Sequence, residues 1–334
     1  MNGKENKTNS METPLVSVIV ITYNQENVLH KALDSILMQE TIYSYEIIVG
    51  DDCSTDNTCK VLEEYAKKYP QIRPIYNEKN LGILGNIKNV LSHVRGKYIS
   101  GCAGDDQWLT TTRLQRQVDI MVNNPQIGVV YSDLRIDILP LAKQYIKKCQ
   151  EPSSDLFNQL MRGNFITATT TCYRSELLQY VNFDEFIEED FFMEDYPMWL
   201  EFSQHCQFYH MPEPLVNYVV DRPSILNPNE ALHKACIFDE HTTRVRTHYA
   251  RKFSDKCNYT VEQIEDEHIE RWIKAYIVTN NRSKTLESIQ RLHHKPRYYK
   301  ILNFILHVPC GFGIYRARLM NKRKKLSPES SYFS

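Results

Sequence analysis

The sequence predicts an α/β fold, with an open and mostly parallel sheet that is flanked by helices and followed by a mainly helical C-terminal extension. Three observations support this class. Short β-branched runs alternate with segments of helical periodicity from residue 15 to residue 133. Two of these runs end in adjacent aspartates, and open α/β sheets bind ligands at the carboxyl ends of their strands. From about residue 230 the pattern becomes mainly helical, most clearly over 262–278.

The predicted elements follow one another at short spacing. Strands are expected at 15–23, 45–52, 72–78, 96–106 and 127–133, and helices at 27–39, 54–70, 83–94 and 114–122. The third strand is expected at an edge of the sheet, because Pro74 has no N–H to donate to a neighbouring strand. Ser54 or Thr55 is expected to cap the second helix.

The composition excludes several classes of protein. The chain has 334 residues, of which 42% are hydrophobic, and its 40 basic and 41 acidic side chains leave a net charge of −1. That length allows one or two domains, and the balanced charge argues against a dedicated nucleic-acid-binding protein. Nine cysteines without a CxxC pair are typical of free thiols. With no signal peptide and no apolar run long enough for a spanning helix, a cytoplasmic protein is expected.

The pair Asp105-Asp106 ends the fourth predicted strand and follows Gly104. Two carboxylates in one site repel each other, and this repulsion raises a pKa unless a cation is bound there. A Mg²⁺ or Mn²⁺ ion that is also bound by substrate phosphates would relieve the repulsion. The alternative is a solvated turn whose carboxylates cap the next helix.

The other two acidic pairs allow similar alternatives. Asp51-Asp52 ends the second predicted strand, where a carboxylate can bind a nucleotide's ribose hydroxyl or ring N–H, or can cap a helix. Glu194-Asp195 lies in the apolar segment FFMEDYPMWLEF, where a carboxylate has reason to have a raised pKa and to act as a catalytic base. The alternative for that pair is a helix start ahead of Pro197.

Several blocks of the sequence resemble one protein family when they are taken together. They are VSVIVITYNQENVLHKALDSILMQ, YEIIVGDDCSTDNT, NLGILGNIKNV, GKYISGCAGDDQWL and MEDYPMWL, in that order. Over residues 14–225 the chain resembles the family-2 glycosyltransferases, which have the GT-A fold. The resemblance implies an inverting enzyme that moves a sugar from a nucleotide-diphosphate donor, commonly a UDP-sugar, to an acceptor hydroxyl with the help of Mn²⁺ or Mg²⁺. It also implies a role in cell-surface polysaccharide or lipid-linked glycan synthesis.

The resemblance implies roles for individual residues as well. Asp195 would be the catalytic base, Asp106 would bind the metal, and Asp52 would accept a hydrogen bond from the nucleobase. The remaining nucleotide-binding residues would be Thr22, Tyr23, Asn24, Asn80, Gly82, Asn86 and, near the ribose, Asp105. The residues that contact the acceptor or support the site would be Trp108, Arg113, Glu194 and Trp199. The alternative for Trp199 and the nearby aromatic residues Phe191, Phe192 and Tyr196 is a place in the hydrophobic core.

One segment departs from the pattern of the family. Family members often carry Y-R-x-H-x-x-S after the E-D pair, whereas this segment reads YVVDRPSI over 218–225. Val219 stands where arginine is usual, and Asp221 falls where histidine is usual. On this alignment Asp221 could bind the metal, and Arg222 could pair with the diphosphate.

The chain is therefore expected to divide into three parts. Residues 1–13 would be a disordered tail. Residues 14–225 would be the catalytic domain, with a nucleotide-sugar half at 14–134 and an acceptor half at 135–225 that includes NFITATTTCYR. Residues 226–334 would be a helical region with a basic tail.

The segment 298–325 combines the apolar stretch ILNFILHVPCGFGIY with a run of basic residues. We expect it to rest on the anionic inner face of the cell membrane, with apolar side chains in the interface and basic side chains at lipid phosphates. The alternative is a packed helix followed by a solvated basic tail. Pro309 and two glycines argue against one continuous helix.

Two other functions fit parts of the pattern. A catalytically inactive sugar-binding relative would need only the fold, and a nucleotidyltransferase-like enzyme on a similar sheet could use the acidic strand ends with a metal. The presence of Asp52, Asp106 and Asp195 argues against the first alternative. The absence of a glycine-rich phosphate loop argues against the second.

Overall fold

The computed structural model describes residues 13–221, 228–308 and 311–323, so the predicted tail lies outside the described residues except for its last position. The strands are β1 (Val16–Thr22), β2 (Tyr45–Asp51), β3 (Ile72–Tyr76), β4 (Tyr98–Ala103), β5 (Gln107–Trp108), β6 (Ile127–Ile138), β7 (Lys143–Lys147), β8 (Cys172–Arg174) and β9 (Gln207–Val220). The helices are α1 (Leu29–Leu37), α2 (Thr58–Lys68), α3 (Gly82–Leu91), α4 (Arg113–Asn123), α5 (Leu156–Leu160), α6 (Phe183–Glu188), α7 (Asp195–Phe202), α8 (Pro228–Lys252), α9 (Val261–Val278), α10 (Arg282–Arg291), α11 (Arg297–His307) and α12 (Gly311–Arg323).

One sheet contains all the strands of the described residues, in the order β3-β2-β1-β4-β8-β6-β9-β5, with β7 paired to β6 outside this order. The first four strands pair in parallel, as the alternation of strands and helices predicts. β8 is antiparallel to both β4 and β6, whereas β6 and β9 are parallel. β3 lies at an edge, as the proline in that strand predicts. The predicted class, an open and mostly parallel sheet flanked by helices, is confirmed.

Two element boundaries differ from the prediction for identifiable reasons. Helix α2 begins at Thr58, so neither Ser54 nor Thr55 caps it. The Ser54 hydroxyl instead donates to Asp51 and accepts the N–H of Asn24, because short hydroxyl side chains also bond to nearby loops. Strand β6 runs past its predicted end at residue 133 because its pairing with β9 continues to Ile138.

Alternate residues of the central strands enter two hydrophobic cores, one on each face of the sheet. On one face, Val18 of β1 packs in a cluster with Leu33 of α1 and Val118 of α4. On the other face, Ile19 of β1 belongs to a cluster that includes Trp199 of α7. This layering holds the strands so that their carboxyl ends, and the loops that follow them, lie along one edge of the sheet.

The helical extension is anchored to the rest of the molecule through α8. Arg246 is buried and donates from Nε to the carbonyl oxygen of Met161 at 2.6 Å. The Tyr249 hydroxyl donates to Glu201 at 2.9 Å. Helix α9 covers the amphipathic segment predicted at 262–278 and begins with a capping box at Thr260.

The last helices have a small core of their own. Ile273 and Ile277 of α9 pack with Leu302 and Leu306 of α11. Helices α11 and α12 are separate, as Pro309 and the two glycines predict. Within the ranges that the structure describes, every helix is too short or too polar to cross a membrane.

Candidate active site

The two aspartate pairs lie on either side of the end of β1. In the parallel register Thr22 pairs with Asp51 of β2, and Ile21 pairs with Ala103 of β4. The chain builds the sheet in one direction through β2 and β3 and then returns to the other side of β1 with β4. This edge is therefore the topological switch point, where ligands of open α/β sheets bind.

Hydrogen bonds join the loop after β1 to the loop after β2. Asn24 has a left-handed backbone with φ of 52°, a conformation that asparagine tolerates better than most residues. Its side-chain oxygen accepts the N–H of Thr55 at 2.8 Å, and its own N–H donates to Ser54 Oγ at 2.9 Å. The predicted nucleotide-binding residue Asn24 is thus held from two positions, and its neighbour Tyr23 is 45% exposed.

The Asp52 carboxylate is buried and oriented by two donors. Its Oδ1 accepts the side-chain amide of Asn77 at 2.9 Å and the N–H of Leu81 at 2.8 Å. Asn77 also donates to Asn86 at 3.0 Å, and Asn86 in turn donates to the carbonyl oxygen of Gly50 at 3.0 Å. Asn86, which was predicted to bind the nucleotide, therefore holds β2 and Asn77 in place behind Asp52.

Asn80 and Gly82 form the turn that leads into α3. The side-chain oxygen of Asn80 accepts the N–H of Gly82 at 3.0 Å. Gly82 has φ of 71°, which glycine adopts without a steric penalty. Leu81, whose N–H reaches Asp52, lies between them, so this turn places one of the two donors to that carboxylate.

The glycine before the second aspartate pair lies directly against the loop after β1. A Cβ atom on Gly104 would come within 2.2 Å of Gln25 Oε1 and 3.0 Å of Thr22 Oγ1. Thr22 itself donates from its hydroxyl to Gln25 Oε1 at 2.8 Å. A larger residue at this position would displace the Gln25 side chain and crowd Thr22, so glycine allows the aspartate turn to lie against the buried end of β1.

Asp106 is almost fully buried and incompletely bonded. Its Oδ1 accepts the N–H of Val219 at 3.3 Å, and its Oδ2 makes no hydrogen bond of ordinary geometry among the described residues, although the Thr169 hydroxyl is near enough to lower the pKa of Asp106. Burial, and then the charge of the adjacent Asp105, raise the pKa of Asp106 to about 8. A buried carboxylate oxygen without a partner, next to a second carboxylate, fits a bound cation.

Few side chains are available as ligands for such a cation. Among the described residues, no group of three or more His, Cys, Asp or Glu side chains is arranged to hold a metal. Asp106 and Asp105 could supply part of the coordination, and water and phosphate oxygens would supply the rest, as is usual for Mg²⁺. Asp221 is exposed just beyond the end of β9, and Arg222 lies outside the described residues.

A cavity of about 440 Å³ opens beside the ends of β1 and β4. Asp106, Glu194 and Asp195 all line it, so the structure brings the predicted metal-binding residue and the predicted catalytic base to one site. Asp52 is not part of its lining within the described residues, and lies instead beside the neighbouring loops of the same edge. Apart from the acids, most of the wall is aliphatic or aromatic.

Asp195 is the first residue of α7 and is half-buried. Its Oδ2 accepts the side-chain amide of Asn164 at 3.2 Å, and its Oδ1 accepts the N–H of Tyr196 at 2.6 Å. Burial raises the pKa of Asp195 above its ordinary range. Burial and the neighbouring Asp195 charge likewise raise the pKa of Glu194. Within the pair, Asp195 is therefore the residue whose carboxylate is oriented by a side-chain donor, and its pKa is higher than that of an exposed aspartate.

Three predicted supporting residues are buried and lie outside the lining of this cavity: Trp108, Arg113 and Trp199. The Arg113 guanidinium stacks 4.1 Å from the centre of the Trp108 ring and donates to the carbonyl oxygen of Thr169 at 2.8 Å. Trp199 Nε1 donates to the carbonyl oxygen of Ile166 at 3.2 Å. Because Thr169 and Ile166 line the cavity, these three side chains support its wall from behind.

Only one of the four aromatic residues around the E-D pair faces the cavity. Phe191, Tyr196 and Trp199 are buried in the core, which is the alternative placement that the sequence allowed. Phe192 is 50% exposed and lines the cavity. Phe192 is therefore the one aromatic residue of these four that is placed to contact a substrate in the cavity.

Three residues near the site were not found from the sequence. Asn77 orients Asp52, Asn164 orients Asp195, and Lys147 lines the cavity. Asn164 falls within the segment NFITATTTCYR that was expected to bind the acceptor. Asn77 and Lys147 lie in no motif, and only the fold brings them to the site.

Comparison with known proteins identifies the class of this domain. Residues 17–173 match the family model described as Glycosyl transferase family 2. The chain therefore carries a family 2 glycosyltransferase domain with the GT-A fold. The structure of the mannosyltransferase PcManGT from Pyrobaculum calidifontis, in complex with GDP-Man and Mn²⁺, is similar with a TM-score of 0.51 at 15% identity. That likeness covers 95% of this chain and 89% of that one, and at this identity it shows the fold alone.

Curated relatives match part of the chain. An uncharacterized protein of Mycobacterium tuberculosis is 36% identical over 163 residues, which are 48% of this chain and 47% of that protein. The chain thus spans about half the length of the first curated relatives it matches. Escherichia coli WfgD, named as a UDP-Glc:alpha-D-GlcNAc-diphosphoundecaprenol beta-1,3-glucosyltransferase, is 28% identical over 190 residues, or 57% of this chain and 70% of WfgD.

Proposed function

We propose that this protein is an inverting hexosyltransferase that moves a sugar from a nucleotide-diphosphate donor to an acceptor hydroxyl, in the synthesis of a cell-surface polysaccharide or a lipid-linked glycan. The observation that carries the proposal is that Asp106 and Asp195 line one cavity. One has an unpartnered buried oxygen that suits a cation beside a diphosphate, and the other is an oriented carboxylate with a raised pKa. The family match supports a glycosyltransferase rather than a nucleotidyltransferase-like enzyme.

The loops after β1, β2 and β3 would bind the nucleotide, most simply that of a UDP-sugar. Asp52 is held by Asn77 and by the N–H of Leu81, so its carboxylate is set to accept the ring N–H of uracil. The exposed ring of Tyr23 is free to stack on the base. The name of WfgD, which contains UDP-Glc, supports the same choice of nucleotide.

Asp195 would accept the proton of the acceptor hydroxyl. As that oxygen forms its bond to the anomeric carbon, the bond from this carbon to the β-phosphate oxygen breaks, and the nucleoside diphosphate leaves with the electron pair. One displacement at the anomeric carbon, without an enzyme nucleophile, inverts its configuration. A raised pKa suits this role because a base that holds its proton more tightly removes it more effectively from a weakly acidic hydroxyl.

Asp106, with Asp105, would hold a Mn²⁺ or Mg²⁺ ion, with Asp221 as a possible further ligand. When bound, the ion neutralises charge that develops on the leaving diphosphate. The presence of Mn²⁺ in the PcManGT complex supports a divalent ion here. Water must be kept away from the anomeric carbon, and the apolar wall of the cavity serves that purpose.

The test is release of nucleoside diphosphate from a panel of UDP-, GDP-, TDP- and CDP-sugars, with Mn²⁺ and with a chelator, for the wild type and Asp195→Asn. We expect one base to be preferred, the chelator to suppress release, and the variant to bind the preferred nucleotide without turning it over. A thermal-shift screen with the free diphosphates gives the base preference independently of turnover. A wild-type protein that binds a nucleotide-sugar and never releases the diphosphate contradicts the proposal and favours an inactive relative.

We also propose that α11 and α12 rest on an anionic membrane surface, which makes the protein peripheral on the cytoplasmic face. The buried side of α11 carries Leu302 and Leu306, while Ile301 and Phe304 are exposed and Phe304 has 71% of its surface in solvent. Ile314 of α12 is exposed as well. Apolar side chains at an exposed helix face, with basic residues beside them, are typical of interfacial helices.

The basic residues support the same surface. Arg297 and Lys300 of α11 and Arg318 of α12 are exposed, and Lys324 and Lys325 lie outside the described residues. Each cation near an anionic leaflet is worth about 1 kcal/mol of binding free energy. The bound protein would then encounter a lipid-linked acceptor by diffusion along the membrane surface rather than through the solution.

Flotation with liposomes that contain anionic lipid tests this surface. Phe304→Glu should move the full-length protein to the aqueous fraction at low salt, because it puts a charge into the apolar face. Ile42→Glu is the matched control, since Ile42 is likewise an exposed apolar side chain but lies far along the chain from these helices. Equal flotation of the wild type and Phe304→Glu would contradict the membrane role.

A further inference from the structure

Lys147 is the only lysine or arginine among the described residues that line the cavity. It ends β7, the strand that pairs with β6, where its register partner is Leu134. It makes no salt bridge within the described ranges. Burial raises the pKa of Asp195, and the charge of Lys147 offsets a part of this shift, so the ammonium group acts on the candidate catalytic base. The cavity thus presents one positive side chain close to the place where the acceptor hydroxyl would be deprotonated.

Exposed apolar side chains from three segments that are far apart in the sequence line the cavity. Ile83 of α3, Phe192 and Phe238 of α8 line it, and all three keep large exposed fractions. Isolated apolar side chains on a surface are ordinary, but several around one cavity mark a place where apolar ligand surface is buried. A sugar hydroxyl by itself gives such a wall little to bind.

We propose that Lys147 binds an anionic group of the acceptor, a phosphate or diphosphate, and that Ile83, Phe192 and Phe238 hold the apolar chain attached to it. The inference rests on the proposed function, because it names the acceptor class of the same cavity. A lysine ammonium binds phosphate as a compact charge, and burial of an alkyl chain supplies binding free energy in proportion to its area. The acceptor is therefore an amphipathic phosphate ester rather than a neutral oligosaccharide.

Binding of decyl diphosphate to the full-length protein tests this assignment, measured by calorimetry beside inorganic pyrophosphate and a neutral decyl glycoside. We expect decyl diphosphate to bind more tightly than either of the other two, since only it offers both the charge and the chain. Lys147→Ala should weaken its binding about tenfold, which corresponds to the loss of one charge-assisted hydrogen bond. Lys143→Ala is the matched control, because Lys143 lies on the same strand and does not line the cavity.

Phe238→Ala separates the two halves of the ligand. It should weaken decyl diphosphate and leave pyrophosphate unchanged, because it removes only apolar contact. Equal affinity of the wild type and Lys147→Ala for decyl diphosphate would overturn the assignment. The assignment would also be overturned if Lys147→Ala lost affinity for UDP and kept its affinity for decyl diphosphate, because the lysine would then bind the donor.

The binding measurement needs no turnover, so its outcome can be separated from that of the proposed reaction. If no nucleotide-sugar in the panel is turned over and decyl diphosphate still binds through Lys147, the proposed function fails, the binding site for an amphipathic phosphate stands, and its role as an acceptor site falls. If turnover is found and Lys147→Ala binds decyl diphosphate as tightly as the wild type does, the proposed function stands and the assignment of Lys147 fails.

Discussion

Around Asp52 the neighbouring polar side chains are bonded to one another across three loops, whereas around Asp195 the wall is mostly apolar and the carboxylate has one side-chain donor, Asn164. The first region uses loops that directly follow adjacent strands. The second is assembled from β7, the loop before β8, α7 and α8, which are far apart in the chain. The proposed donor side is therefore held by hydrogen bonds within the protein, whereas on the proposed acceptor side burial raises the pKa values of Glu194 and Asp195.

The largest expected effect comes from Asp106, which lines the cavity together with Asp195. Asp106→Ala should reduce transfer below detection and remove the effect of Mn²⁺ on nucleotide binding, because it deletes the unpartnered carboxylate that fits the ion. Transfer assays and calorimetry of UDP with and without Mn²⁺ measure both. Asp119→Asn is the control, an acid outside the cavity that accepts the Tyr43 hydroxyl. Metal-stimulated turnover in Asp106→Ala would mean that the ion is held elsewhere.

A change confined to the acceptor side should affect chemistry and leave donor binding intact. Asp195→Asn should lower kcat by about 10²–10⁴-fold, the usual contribution of a positioned base, without changing UDP affinity. Glu194→Gln should lower it far less, since Asn164 orients Asp195 and not its neighbour. A dead Glu194→Gln with an active Asp195→Asn would reassign the base.

A change confined to the donor side should do the opposite. Asn77→Ala removes the amide that holds Asp52 and Asn86, and we expect the donor KM to rise about tenfold with a smaller change in kcat. The same variant should lose about 1–3 kcal/mol of unfolding free energy, because buried partners are left unsatisfied. Chemical denaturation and donor-dependent kinetics are the measurements. A fall in kcat at unchanged KM would show that the two regions are coupled.

The smallest effect concerns stability and pH on the acceptor side. The folded-state pKa of Glu194 is raised above its unfolded value, so its contribution to stability is complete at low pH and is lost as pH rises through the folded pKa. Glu194→Gln removes this titration, and the melting temperature should exceed that of the wild type by roughly 2 °C at pH 8. At pH 5 the difference should shrink. A difference that is equal at both pH values would mean that the carboxylate is not destabilised by burial.

The same contrast explains which features could be predicted from the sequence. The strands β1 to β4 were predictable because the spacing of apolar residues is a local signal in the sequence. The aspartate pairs after β2 and β4 were predictable for the same reason, since they directly follow those strands in the chain. The cap at Ser54 or Thr55 was wrong because those hydroxyls bond across loops, a contact that a local pattern does not contain. Lys147 could not be found because its place depends on the pairing of β7 with β6.

The buried supporting residues teach a related lesson. Trp108 and Arg113 lie in a recognisable block, yet both side chains are buried. Arg113 acts on the cavity through its hydrogen bond to the backbone of Thr169 and through its charge, which lowers the pKa of Asp106. A motif therefore marks that a residue matters to the site and leaves open whether it touches substrate. Burial in the folded chain decides that point.

Gly104 has a practical consequence for anyone who wishes to change the donor. Because a side chain at Gly104 would meet Gln25 and Thr22, the segment after β4 and the segment after β1 pack closely against each other. Exchanging either segment alone with that of another transferase would bring mismatched surfaces together, and the chimaera would lose its fit at the sheet edge. Grafting the two segments as a set, with residues 22–25 and 104–106 from the same parent, preserves that fit.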